Sequence, residues 1–167
     1  MIGANNMNNK FNIVLKDDFH GKKGIVDATF YIDIEEILFP EAGWTDFVII
    51  VLDWWINSII DIYFQQKAEF TLQFMDGPYY VECHKTGEQV HMSFIEDKNK
   101  TTSIYEYEIK FNELVNNVVD VSLDLVQMLK RKYKRKVCRL TGTKEFKKSL
   151  KYLMKISGLG RKLSSGV

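Results

Sequence analysis

Proline is nearly missing from this chain: Pro40 and Pro78 are the only two in 167 residues. Cysteine is as rare, with Cys83 and Cys138 alone. Two isolated thiols make no disulfide framework, so the fold must be held by its core. Long apolar runs are missing too. The longest, residues 47–52, has six members, against the ~20 that a membrane span needs. The opening MIGANNMNNK holds no apolar stretch of the kind a secretory signal carries. With reduced thiols, this predicts a cytoplasmic protein. No G-x-S-x-G, G-x-x-x-x-G-K-[ST] or G-x-G-x-x-G segment occurs, which removes the nucleophile elbow and the phosphate cradle from consideration. The chain is therefore read as carrying no catalytic residue and no cofactor or metal, and as a non-enzyme.

What is present is a core. Apolar residues make up 46% and aromatics 13%, too many for a disordered chain. The length predicts a single domain: a polar head at 1–9, a globular body at 10–157 and a loose tail at 158–167. The net charge of +1 conceals a division. Residues 1–129 carry 9 Lys/Arg against 21 Asp/Glu, a balance of −12. Residues 130–167 carry 14 Lys/Arg and one acid, Glu145, a balance of +13. Such asymmetry signals a partner.

From 67 to 110 the pattern has period two. Phe70, Leu72 and Phe74 alternate with polar residues. Asp76-Gly77 and Gly87-Glu88 are hairpin turns, and 97–100 forms a third. Folding about them pairs Phe74 with Tyr79, Leu72 with Val81, Phe70 with Cys83, Cys83 with Met92 and Val81 with Phe94. The third turn brings Tyr105 near Phe94 and Tyr107 near Met92. All three turns keep the same residues on one face, which predicts a four-stranded antiparallel meander. Upstream, 11–15 and 26–32 read as two strands, with Ile13 opposite Ala28. Helices are expected at 46–63, capped by Thr45, at 112–133, and at 144–156, capped by Thr143. The expected fold is α+β: one antiparallel sheet of about six strands, in the order β-β-α-β-β-β-β-α-α, with helices packed on one face.

The helix at 46–63 carries adjacent Trp54 and Trp55, with polar Asp46, Asp53, Asn57 and Asp61 on one stripe. Trp55 is expected in the core. His84 and His91 become cross-strand neighbours on the outer face with Glu82 nearby. No third or fourth ligand is identifiable, so they read as solvated imidazoles rather than a zinc site. The run KRKYKRKVCR at 130–139 reads as a solvated helix end with cations favoured by the helix dipole.

The segments FPEAGWTDFV, DWWINS and MDGPYYV, in that order and spacing, resemble a group of small bacterial proteins associated with the immunity proteins of polymorphic toxin systems. The resemblance covers about residues 8–130 and implies neutralisation of a toxin domain by binding. The predicted partner surface is the acidic loop 35–46, with Trp44 as apolar anchor ringed by Glu35, Glu36, Glu41 and Asp46, the alternative being that Trp44 staples the helix entry to the core. Its negative field suits a basic partner. One alternative is a small-molecule or enzymatic domain with a pocket between sheet and helices, lined by Trp55, Tyr79, Tyr105 and Tyr107. Another is a nucleic-acid-associated protein using 130–162, set against the repulsion of phosphate by the acidic 1–129. Self-association is a further partner reading, and no membrane partner is expected.

Overall fold

The computed structural model describes residues 11–22, 24–65, 67–97 and 102–159. The chain runs β1 (Phe11–Leu15), β2 (His20–Lys22), β3 (Ile25–Ile34), β4 (Ile37–Phe39), β5 (Thr45–Asp46), α1 (Val48–Gln65), β6 (Glu69–Gln73), β7 (Tyr79–Thr86), β8 (Gln89–Glu96), β9 (Thr102–Lys110), α2 (Phe111–Tyr133), a 3₁₀ helix (Lys134–Arg139) and α3 (Thr143–Ile156). The fold is α+β. Its strands divide into two antiparallel sheets rather than one of about six. The predicted polar head and most of the predicted tail lie outside the described residues, as does most of the 97–100 turn.

The meander forms in the expected register. Phe70 faces Cys83, Met92 and Tyr107 along one row, and Leu72 faces Val81, Phe94 and Tyr105 along the next. All of these are buried except half-buried Tyr105. A bulge at Phe94/Ile95 pairs Ile95 with Ser103, and Ile104 is left exposed.

The first sheet is built around β3, which pairs with β1, β2, β4 and β5. Here the β1 register differs from expectation. Ile13 lies opposite Ile32, not Ala28. The short β2 occupies the start of β3, with His20 opposite Asp27, and residues 16–19 loop between. A slide of four residues keeps every side chain on its face, so the apolar pattern alone could not detect it. The loop is pinned by Asp18, whose carboxylate accepts hydrogen bonds from the Thr29 amide (2.9 Å) and hydroxyl (2.5 Å).

The two sheets meet through aromatic rings: Phe30–Phe74 at 6.0 Å, Phe39–Phe94 at 5.1 Å and Phe11–Tyr107 at 6.0 Å. Trp55 of α1 is driven between them, 5.1 Å from Phe30 and 5.4 Å from Phe74. It is fully buried, and its indole N–H donates to the Gln73 carbonyl at 2.7 Å.

Helix α1 starts two residues later than expected because Asp46 belongs to β5, opposite Ala28. Thr45 is exposed in that strand and caps nothing, while the Phe47 carbonyl accepts from Ile50 and Val51. Thr143 does not cap α3 either. It is the first helical residue, preceded by Gly142 at φ 79°, and its hydroxyl is buried without a partner. The basic run is more ordered than a helix end plus loop. It divides between the last turn of α2 and the 3₁₀ helix. It is tied down by Arg131 to Asp17 (3.5 Å), Lys132 to the Phe19 carbonyl (2.6 Å) and the Thr141 amide to the Gly24 carbonyl (2.8 Å).

Trp55→Ala is expected to lose about 3–5 kcal/mol, the cost of truncating a large buried aromatic. Chemical denaturation measures it, and a loss under about 1 kcal/mol would show that the ring is not structural. Asp18 supplies a pH dependence. Burial pushes its pKa up, but the Thr29 hydrogen bonds outweigh this and hold it below the ordinary value. Its contribution is complete above the unfolded value of about 3.9 and drains away as pH falls through the lower folded value. Urea midpoints of the native chain should therefore fall more steeply below about pH 4 than those of Asp18→Asn. Parallel curves would contradict the latch.

Candidate partner-binding surface

The five residues predicted to form one binding surface do not come together. The Trp44 carbonyl accepts from Phe30, in the middle of β3. Glu35 lies five residues further along, ~17 Å at the rise of a strand. The loop has two ends with different work.

At one end Trp44 and Asp46 are structural. Trp44 is half-buried, 5.0 Å from Tyr79 with the rings nearly perpendicular. Gly77, at φ 78°, makes room for it, since a Cβ there would come within 3.0 Å of both rings. Asp46 is 2% exposed and presents nothing to a partner. Its carboxylate accepts from the amides of Phe47 (2.7 Å), Met75 (3.0 Å) and Asp76 (3.4 Å). Burial raises its pKa, and these donors reverse only part of the rise. The Trp44 indole N–H faces the same carboxylate but is buried without a well-formed hydrogen bond. Glu41 is exposed, and its carbonyl receives the Trp44 amide.

At the other end, Glu35 and Glu36 form the turn between β3 and β4, with Ile34 opposite Ile37. Both glutamates have positive φ, 52° and 76°. That is the requirement of a two-residue type I′ hairpin, which Asn-Gly meets at least cost. Non-glycine residues held there store of order 1–3 kcal/mol each, and such strain gathers at functional positions. The Glu36 amide donates to Asp33 (3.3 Å). Both glutamates are exposed, and Ile37 beside them is 40% exposed. Tyr107 links this turn to the start of α2 electrostatically: burial, then Glu113, then Glu35 push its pKa up. Glu35, Glu36 and Glu113 thus make a negative tip with Ile37 as its apolar member. Ile37 and Glu113 were missed in the sequence. The signal for the tip was two polar residues between alternating apolar runs.

No family model, curated protein or solved structure matches the chain.

The outer face of the meander is the other polar surface. His84 and His91 are cross-strand neighbours as expected. His91 pairs with Glu106 at 2.8 Å and His84 with Glu69 at 3.5 Å. Burial raises the Glu106 pKa, but hydrogen bonds from Ser103 and Ser93 and the nearby His91 bring it below the ordinary value. Among the described residues, no three His, Cys, Asp or Glu side chains converge as metal ligands would. A shallow cavity of about 320 Å³ on this face is lined by Glu69, Thr71, Glu82 and both histidines. The residues foreseen as lining a pocket between sheet and helices pack on neighbouring rings: Phe30 and Phe74 on Trp55, Phe39 on Tyr79, Phe94 on Tyr105 and Phe11 on Tyr107. A cavity of about 450 Å³ lies elsewhere between sheet and helices, lined by Ile62, Tyr63, Lys85 and Phe111.

The double variant Glu35→Asn, Glu36→Gly relaxes the turn. It should gain about 1–2 kcal/mol in chemical denaturation, less than the full strain because glycine costs entropy in the unfolded chain. A loss of stability would show that the glutamates serve the fold.

Proposed function

We propose that this protein is a non-enzymatic binding module of the immunity type, which neutralises a basic toxin domain by direct contact. The observation that carries the reading is the acidic tip of the β3–β4 hairpin. Two glutamates occupy positions where other residues would be more comfortable, and they are exposed. Local stability does not account for that choice. Partner recognition does, because the tip combines one exposed apolar residue with concentrated negative charge. The tip is carried by a hairpin whose inner strand is buried, so the contact geometry is preorganised and little order is lost on binding. The field of Glu35, Glu36 and Glu113 would steer a basic partner and speed its association at low salt. The immunity type is the one expected from the segments within about residues 8–130, a span that includes the tip.

The test uses the product of the neighbouring gene, which this reading expects to carry a basic toxin domain. Calorimetry should show a tight complex, and stopped-flow mixing an association rate that falls with added salt. Glu35→Lys with Glu36→Lys should weaken it by at least tenfold, roughly 1.4 kcal/mol, without unfolding the protein. Unchanged affinity would move the site elsewhere. No complex with the neighbouring product would remove the immunity reading.

A further inference from the structure

The helix α3 carries an unused surface. Lys144, Lys148, Lys151 and Lys155 recur at spacings of four, three and four, which aligns them on one stripe. All four are exposed. They span eleven residues, ~16 Å along the axis. Beside the stripe, Tyr152 of α3 stacks on Phe64 of α1, with ring centroids 5.8 Å apart and planes 11° from parallel. Both rings are exposed, at 44% and 58%. The apolar side of α3 is fully engaged, since Phe146, Leu150, Leu153 and Met154 are buried in the core. At the start of α3 the 3₁₀ helix extends the positive charge, and its cations are exposed as well. Glu145 and Asp61 are the acids exposed on these faces of α3 and α1.

We propose that the lysine stripe and the Phe64–Tyr152 stack form a platform for single-stranded nucleic acid. The stripe follows the phosphates, and a base stacks on the open face of the aromatic pair. Cations alone would suit any polyanion. The exposed aromatic pair at the rim of the stripe selects a strand whose bases are free, because base–aromatic stacking adds affinity that a paired duplex cannot use. An anionic bilayer fits less well. A membrane-surface helix lays its apolar face into the lipid, and that face of α3 is occupied. The platform is independent of the hairpin tip proposed above.

The experiment is fluorescence anisotropy of the full chain with a labelled oligothymidylate of about 20 nucleotides. Four phosphate contacts to a single strand predict a log–log salt slope of about −2.8, a loss of about 50-fold between about 50 and 200 mM salt. Lys148→Ala with Lys151→Ala should lower that slope by about 1.4. Tyr152→Leu keeps the apolar cover but removes the ring. It should weaken oligothymidylate binding about 5- to 150-fold and leave binding to a duplex of the same length unchanged. Phe64→Leu should act in the same direction. The proposal is overturned if both ring variants bind the single strand like the native chain. It is also overturned if the duplex is held as tightly as the single strand. Binding to phosphatidylserine vesicles but not to the oligonucleotide, or a salt-sensitive dimer that Tyr152→Leu dissociates, would give the surface to another occupant.

Discussion

The fold depends on one side chain placed between two sheets. Each sheet is apolar on one face, and neither could stand alone in water. Trp55 packs between them, touching Phe30 of one sheet and Phe74 beside the other. Its single polar atom must find a partner once buried. The Gln73 carbonyl, on the outermost strand of the meander, is that partner. The same hydrogen bond therefore satisfies an indole and part of an exposed sheet edge. This explains why α1 is so apolar. It faces the sheets on one side and α3 on another, where Gly142 approaches Ile49 and Ile50.

A second buried group ties the end of the molecule near Trp44. Asp46 joins β5, the start of α1 and the turn between β6 and β7 through three amides. An acid there is costly, as its raised pKa records. Losing it would leave those amides without an acceptor, which costs more than an exposed hydrogen bond ever returns. Trp44, Gly77 and Tyr79 fill the same corner. That end of the β3–β4 hairpin is therefore committed to the core, while Glu35, Glu36 and Ile37 at the other end are exposed. The distinction separates a buried structural acid, Asp46, from the exposed Glu35 and Glu36 within a dozen residues of sequence.

Charge follows the long helix α2. Glu113 lies in its first turn and Lys130, Arg131 and Lys132 in its last. Each sign sits where the helix dipole favours it. The helix is 23 residues long, ~35 Å, so the acidic hairpin tip and the basic band lie several Debye lengths apart at physiological salt. The two surfaces can then act without cancelling each other. A near-neutral chain thereby carries one acidic and one basic surface, the two on which the proposed contacts rest.

The sequence by itself determined the elements whose residues speak to near neighbours. Leu72 meets Val81 across a turn marked by Asp76-Gly77, and period-two alternation fixes the face. Helical spacing in α2 and α3 was equally plain, because their buried residues recur every three or four positions. The division into two sheets was not legible. Strands β2, β4 and β5 are two or three residues long, too short for any periodic signal. The slide of β1 against β3 was hidden because a shift of four preserves the faces. Asp46 looked like a surface acid because its acceptor role depends on Met75 and Asp76, about thirty residues away. Trp44 and Glu35 looked like neighbours because they are close in sequence, but the strand between them holds them apart. Local pattern follows from bond geometry and hydrophobicity, which a sequence carries. Burial of one polar group, and the meeting of one helix with another, are decided only when distant segments compete for the same space.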